Sequence, residues 1–202
     1  NKESIEDLLP IDTRIKYYKI KGPTERLTIS YKRNLAVSKA TSEYIVHMDD
    51  DDYYPPESLL SRIKSLIKYE KDNIRCVGCT KIGVYDIIND TSSLSSDSSI
   101  SLSEATMAYT KSFWRERQFD SKSKVGEHKY FTETRLDEIL DIPYSFVIIA
   151  MNHKGNFTGS LRSITDNQTK STDTGEIVNF YDTWDVETQM FMCQLSKLLK
   201  KA

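Results

Sequence analysis

A short, largely apolar run, Tyr44-Ile45-Val46-His47-Met48, ends in four consecutive aspartates, Asp49 to Asp52, and the chain then enters Pro55-Pro56-Glu57. The run predicts a buried strand, and the proline pair predicts the start of a helix reaching about Glu70, with Leu59, Leu60, Ile63, Leu66 and Ile67 at helical spacing. The carboxylates therefore belong to a loop leaving the carboxyl end of a strand, where open α/β sheets receive their ligands. In an extended segment Asp49 and Asp51 share one face, and Asp50 and Asp52 the other. Adjacent carboxylates repel, so a cluster of them invites a cation, and oxygen ligands of this kind suit Mg²⁺, Mn²⁺ or Ca²⁺. The plain alternative is a solvated acidic turn.

The rest of the chain predicts an α/β domain with a mainly parallel sheet flanked by helices. Helical turns are expected near Ser4–Leu9, a strand over Arg14–Ile20, a turn at Gly22-Pro23 and a helix over Ser30–Ala40 with Ser30 as a possible N-cap. Cys76–Ile88 reads as one or two strands, and the serine-rich stretch Asn89–Ser103 as a flexible loop. A strand over Thr106–Thr110 and a helix over Lys111–Arg117 follow, then a mobile stretch at Gln118–Val125. Next come a helix over Glu127–Leu140, a buried strand over Tyr144–Met151 and irregular chain over Lys154–Thr174. The closing amphipathic helix spans Asp182–Lys200, with Trp184, Met190, Phe191, Leu195, Leu198 and Leu199 on its apolar face. The 202 residues suit a single domain: 1–88 around the carboxylates, 89–175 as a second half, and 182–200 as the closing helix.

Composition narrows the partners. The 28 Lys and Arg nearly balance 30 Asp and Glu, for a net charge of −2, which argues against a general nucleic-acid binder. No apolar run approaches a membrane span, and Asn1-Lys2-Glu3-Ser4 does not open a signal peptide. Three cysteines suit a reducing compartment, so a cytoplasmic location is expected. Cys76-Val77-Gly78-Cys79 has no partner pair, so packing is expected of it rather than zinc or redox chemistry. Three glycosylation sequons, at Asn89, Asn156 and Asn167, are expected to be chance matches.

The stretch Arg33-Asn34-Leu35-Ala36, Ala40, Tyr44-Ile45-Val46, Asp49-Asp50-Asp51-Asp52 and Pro55-Pro56 resembles the core signature of GT-A-fold nucleotide-sugar glycosyltransferases of the family 2 type. The likeness is dense over residues 31–60 and looser, in order only, to about residue 158. Composition and the wording around Thr106–Trp114 also resemble capsid-glycosylating transferases of large DNA viruses, which would place the protein in host cytoplasm. The resemblance implies a GT-A (Rossmann-like) fold, a nucleoside-diphosphate sugar donor (a UDP-sugar first), a glycan or glycoprotein acceptor and a Mn²⁺ or Mg²⁺ cofactor. It implies inverting chemistry. Residue by residue, it implies Asp51 as principal metal ligand with Asp49 beside it, Asp49 and Asp50 contacting ribose or the ion, Asp52 supporting the loop, and Arg33 and Asn34 at the nucleotide.

An inverting transferase needs a general base at the acceptor hydroxyl. The family places an acidic pair before a helix at this stage of the chain, and here the corresponding residues are Gly126-Glu127-His128. With His128 in place of the second acid, Glu127 and His128 are both candidates. Glu104, Thr106, Tyr109 and Trp114 are expected in the acceptor wall, since sugar rings stack on aromatics. Asn152-His153-Lys154-Gly155-Asn156 resembles a corner that reaches back to the metal or diphosphate in some relatives, making His153 a further metal ligand. The family's opening strand-turn-strand unit, which holds the base, is expected to be missing from this sequence, either lying outside it or lost. Two rival readings remain: a non-catalytic remnant or binding module with an incomplete donor site, and a calcium or metal-hydrolase loop. Tyr54 and Leu60 stand where an EF-hand loop needs Gly and Glu, which argues against an EF-hand.

Overall fold

The computed structural model describes residues 6–20, 27–96, 101–122, 127–153, 180 and 184–201. The expected Gly22-Pro23 turn and the Lys154–Thr174 stretch lie outside them. Two mixed sheets organise the fold. The first has the order β1 (Tyr44–Val46), β5 (Ala108–Thr110), β2 (Cys76–Gly78) and β6 (Ile139–Asp141); the second has the order β4 (Thr91–Ser96), β3 (Lys81–Asp86) and β7 (Ile149–Asn152). The α/β class is as expected, but the sheets are partly antiparallel. β5 runs against both its neighbours, and β4 against β3, whereas β2–β6 and β3–β7 are parallel.

Helices cover both faces of the first sheet. On one face Val37 of α1 (Ile29–Lys39), Phe113 and Trp114 of α3 (Lys111–Glu116) and Phe131 of α4 (Glu127–Thr132) pack with Ile45, Tyr109 and Phe119. On the other, Leu66 of α2 (Ser58–Lys68) closes on Val77 and Ala108. The second sheet buries Tyr85 and Met151 against Trp184 and Met192, the latter on α5 (Val186–Lys201).

Several expectations are corrected. Thr28, not Ser30, caps α1: its hydroxyl accepts the Tyr31 N–H, and Ser30 is buried inside the first turn. Arg14–Ile20 forms no strand, and its Ile15, Tyr18 and Ile20 are exposed, with no ladder partner among the described residues. In α2 the buried stripe is Ser58, Arg62 and Leu66, while Leu59, Leu60 and Ile67 face outward, because the guanidinium of Arg62 has carbonyls to satisfy beneath the sheet. Part of the expected serine-rich loop is β4, paired with β3 along all six residues. Its serines line the hydrogen-bonded backbone while Leu94 turns inward, and Asp90 takes the left-handed turn position at φ 55°.

The helix expected over Glu127–Leu140 stops at Thr132. Thr134 adopts φ 63°, and the chain re-enters the sheet as β6. Tyr144–Phe146 is a 3₁₀ turn, so the expected strand begins only at Ile149. In α5, Met192 is buried while Met190, Phe191 and Leu198 are exposed, so the inward face is narrower than the pattern predicts.

Candidate functional site

The carboxylate loop is tied at both ends. At its entry, the Asp49 N–H donates to the Tyr54 hydroxyl (2.8 Å), which donates to the Ala105 carbonyl (3.2 Å). At its exit, Tyr53 and Ile149 exchange backbone hydrogen bonds of 3.0 and 2.9 Å, and Asp52 accepts the Met151 N–H at 3.0 Å. The loop is thereby laid against β7, the strand that ends at Asn152. One residue further, His153 Nε2 comes to 3.8 Å from Asp51 Oδ2. Tertiary pairing, not sequence proximity, brings these two together.

Beneath the loop lies a buried polar chain. Arg62 is fully buried and donates to the His47 carbonyl (2.7 Å) and the Ser58 hydroxyl (2.8 Å), fixing the end of β1. His47 Nδ1 lies between the Glu104 carbonyl (2.9 Å) and the Arg33 guanidinium (3.1 Å), and its Nε2 shares a hydrogen bond with the Tyr109 hydroxyl at 2.8 Å. Burial first, and then the Arg33 charge, push His47 down to about 3, so its imidazole is neutral. Arg33 grips both oxygens of Asp49 at 3.1 Å.

Glu104 also receives a close hydrogen bond from His128 Nδ1. Burial pushes its carboxyl up, but the His128 contacts and the nearby Arg33 outweigh this and hold it below the usual carboxylate range. The segment carrying Glu104 is stitched to β2: the Cys79 N–H donates to the Thr106 hydroxyl (2.8 Å), and the Ser103 N–H to the Cys79 carbonyl (2.9 Å). Gly78 permits the approach, since a Cβ there would stand 2.9 Å from the Thr106 hydroxyl.

The geometry reassigns several expected site residues. Asn34 has no capacity left for a nucleotide. Its oxygen accepts from Trp114 Nε1 (3.0 Å) and the Phe119 N–H (3.1 Å), and its amide donates to the Phe119 carbonyl (2.8 Å) and the Ser121 hydroxyl (3.3 Å). That clamp holds the start of the Gln118–Val125 stretch, whose Phe119 is buried; residues 123–125 lie outside the described residues. Tyr109 is wholly buried, with its ring against Phe131 at 5.0 Å, so it is core rather than acceptor wall; Trp114, 7% exposed, is core too. Asp49 is bound to a guanidinium, whose charge repels a cation, so its expected share in a metal site does not fit this arrangement.

Asp50 and Asp51 are exposed at the loop's tip. Glu127 opens α4, and its side chain lies outside the described residues. Cys76 and Cys79 are buried, and burial pushes their thiols up to about 12, so they stand un-ionised in the packed interior.

Among the described residues no three His, Cys, Asp or Glu side chains converge as a ready-made metal cage. Mg²⁺ and Mn²⁺ do not need one in a nucleotide site, where one or two protein ligands, waters and substrate phosphates complete the shell. Two donors on one such ion, each at about 2.1 Å, stand roughly 3–4 Å apart, and the Asp51–His153 separation fits that span.

The model of glycosyl transferase family 2 matches residues 2–129, well over half of the chain and the whole of the carboxylate loop. The chain belongs to that family. A family 2 transferase has a nucleotide-sugar donor and an acceptor, and the layered α/β arrangement with mixed sheets is that of a GT-A (Rossmann-like) fold. A search of curated proteins finds no match. Among the described residues no helix is long and apolar enough to cross a membrane.

Sequence reasoning missed Arg62 and His47 as the buried scaffold under the loop. A lysine or arginine in an amphipathic helix normally faces water, and only the polar neighbours Ser58 and Ser61 hint that this one does not.

Proposed function

We propose that this family 2 member is a metal-dependent, inverting transferase that moves a sugar from a nucleoside-diphosphate sugar, a UDP-sugar first, to a hydroxyl of a glycan or glycoprotein. The observation that carries this reading is the Asp51–His153 pair, assembled where the carboxylate loop meets the end of β7. A Mn²⁺ or Mg²⁺ ion, when bound, supplies charge neutralisation for the departing diphosphate. Asp51 and His153 are the side chains to hold it, and the exposed Asp50 adds negative potential beside them. Asp52 keeps the loop on β7, and the Arg33–Asp49 pair fixes its first residue. The attacking hydroxyl then needs a base on the acceptor side, where α4 begins.

Isothermal calorimetry with UDP, GDP and their sugar conjugates, with and without Mn²⁺, tests the reading. Binding of one nucleotide that requires the ion is expected. The competing reading, a fold without a working donor site, draws support from Asn34, whose amide is consumed by the protein itself. Failure of every nucleotide to bind, with or without Mn²⁺, would decide for it.

A further inference from the structure

We propose that His128, oriented by Glu104, is the base that takes the acceptor's hydroxyl proton; the assignment rests on the glycosyl-transfer reading above. A carboxylate has no proton to give, so the contact between Glu104 and His128 Nδ1 puts the imidazole proton on Nδ1. Nε2 then carries the lone pair. His128 is 8% exposed, and its Nε2 has no hydrogen-bond partner among the described residues. Leaving a buried polar atom unmatched is costly, and such an atom calls for an explanation. A sugar hydroxyl is a donor of the right kind to meet it.

The supporting shell points the same way. Glu104 is placed by the stitching of its neighbours to Cys79, and its carbonyl lies 2.9 Å from His47 Nδ1. Its carboxyl is held ionised by His128 and Arg33, so an imidazolium formed at His128 is neutralised at once. Arg33 in turn holds Asp49, which links the pair to the carboxylate loop without a break. A nucleophile's base oriented by a third group is the arrangement that general-base catalysis requires.

The step balances. The acceptor oxygen forms a bond to the anomeric carbon while its proton passes to His128 Nε2. The bond from that carbon to the diphosphate oxygen breaks, and its electron pair leaves with the nucleoside diphosphate.

Two measurements on the full chain test this. ¹⁵N-histidine NMR, with the signal assigned by loss in His128→Asn, is expected to show neutral His128 protonated at Nδ1; an Nε2–H tautomer overturns the proposal. Turnover of the donor that calorimetry shows to bind is then followed with Mn²⁺, using water and simple hexoses as acceptors. His128→Asn should bind donor within about two-fold of wild type and lose about 10³-fold in turnover. Glu104→Gln should bind donor as well, and the acid limb of its pH–rate profile should move lower, because a neutral amide no longer neutralises the imidazolium formed in the step. A purely structural Glu104 would leave that limb in place.

Wild-type turnover in His128→Asn, or turnover lost in Glu127→Gln but kept in His128→Asn, overturns this assignment and leaves the transferase reading standing. Wild-type protein that binds no donor overturns both. Should His128→Asn fail to fold, the tautomer and the Glu104→Gln profile decide.

Discussion

Two carboxylate–imidazole pairs flank the same loop, and they live in opposite surroundings. Asp51 and His153 stand 3.8 Å apart with side chains 44% and 22% exposed, whereas Glu104 and His128 touch closely at 21% and 10%. The first pair is exposed to water, where such an attraction contributes little. The second is screened from water, where a lost partner is felt strongly. On the proposed reading, like chemistry serves a cation in one place and a proton in the other, and burial makes the difference.

The sharpest way to break the comparison is to remove the exposed acid. Asp51→Ala should weaken Mn²⁺-dependent nucleotide binding at least about 100-fold while changing unfolding stability by less than about 0.5 kcal/mol. Calorimetry and urea titration of one preparation check both halves; unchanged affinity would move the cation elsewhere. The buried pair should answer in the reverse sense. Glu104→Ala leaves His128 without its acceptor and should cost about 2 kcal/mol of stability, read from the urea midpoint, with nucleotide affinity little altered.

Acid should separate the two regions further. His47 sits at about 3 in the folded protein against 6.5 for an ordinary histidine, so between those values the unfolded chain binds the extra proton. Its contribution is complete above pH 6.5 and is lost as pH falls toward 3, at up to about 1.4 kcal/mol per pH unit. Glu104, held below its ordinary value of 4.5, adds stability above that value that disappears as pH falls through the lower folded one. Urea midpoints from pH 7 to 4 should fall for the wild type and flatten in His47→Gln. The same slope in both proteins would refute a neutral buried His47.

How far each pair could be read in advance follows from what fixed it. β1, the four aspartates and the proline-led α2 are local signals, and they survive in the structure with shifted ends. The closeness of Asp51 and His153 depends on a bridge between Tyr53 and Ile149; the likeness of residues 152–156 to a family corner points to His153, but no hydrophobic or turn pattern announces the bridge itself. Glu104 and His128 come from segments 24 residues apart, brought together by the close packing at Gly78 and the aromatic cluster around Phe131. Asn34 and Tyr109 were misplaced for a related reason. Residue type gives the hydrogen-bonding capacity, but only the fold shows that Trp114, Phe119 and His47 have already used it.

His153→Ala should have an intermediate effect, about ten-fold weaker Mn²⁺-dependent binding, since Asp51 alone can still hold an ion that phosphates and water complete. A drop as deep as that of Asp51→Ala would make the two ligands equal. No change would assign His153 to the loop's structure.

The smallest effect expected is at Asp50, and it separates contact from field. Asp50 is exposed, and no hydrogen bond or ion pair ties it among the described residues. If it acts only by adding negative potential near Asp51, then Asp50→Asn should weaken Mn²⁺-dependent binding by about two- to five-fold at low ionic strength. That difference should vanish near 1 M salt, where the screening length falls to about 3 Å. A ligand in direct contact with the ion or the ribose is screened far less, so a loss that persisted in salt would move Asp50 into the contact shell. The outcome decides whether the tip of the loop carries one ligand or two, because the other two aspartates are already committed to Arg33 and to the backbone of β7.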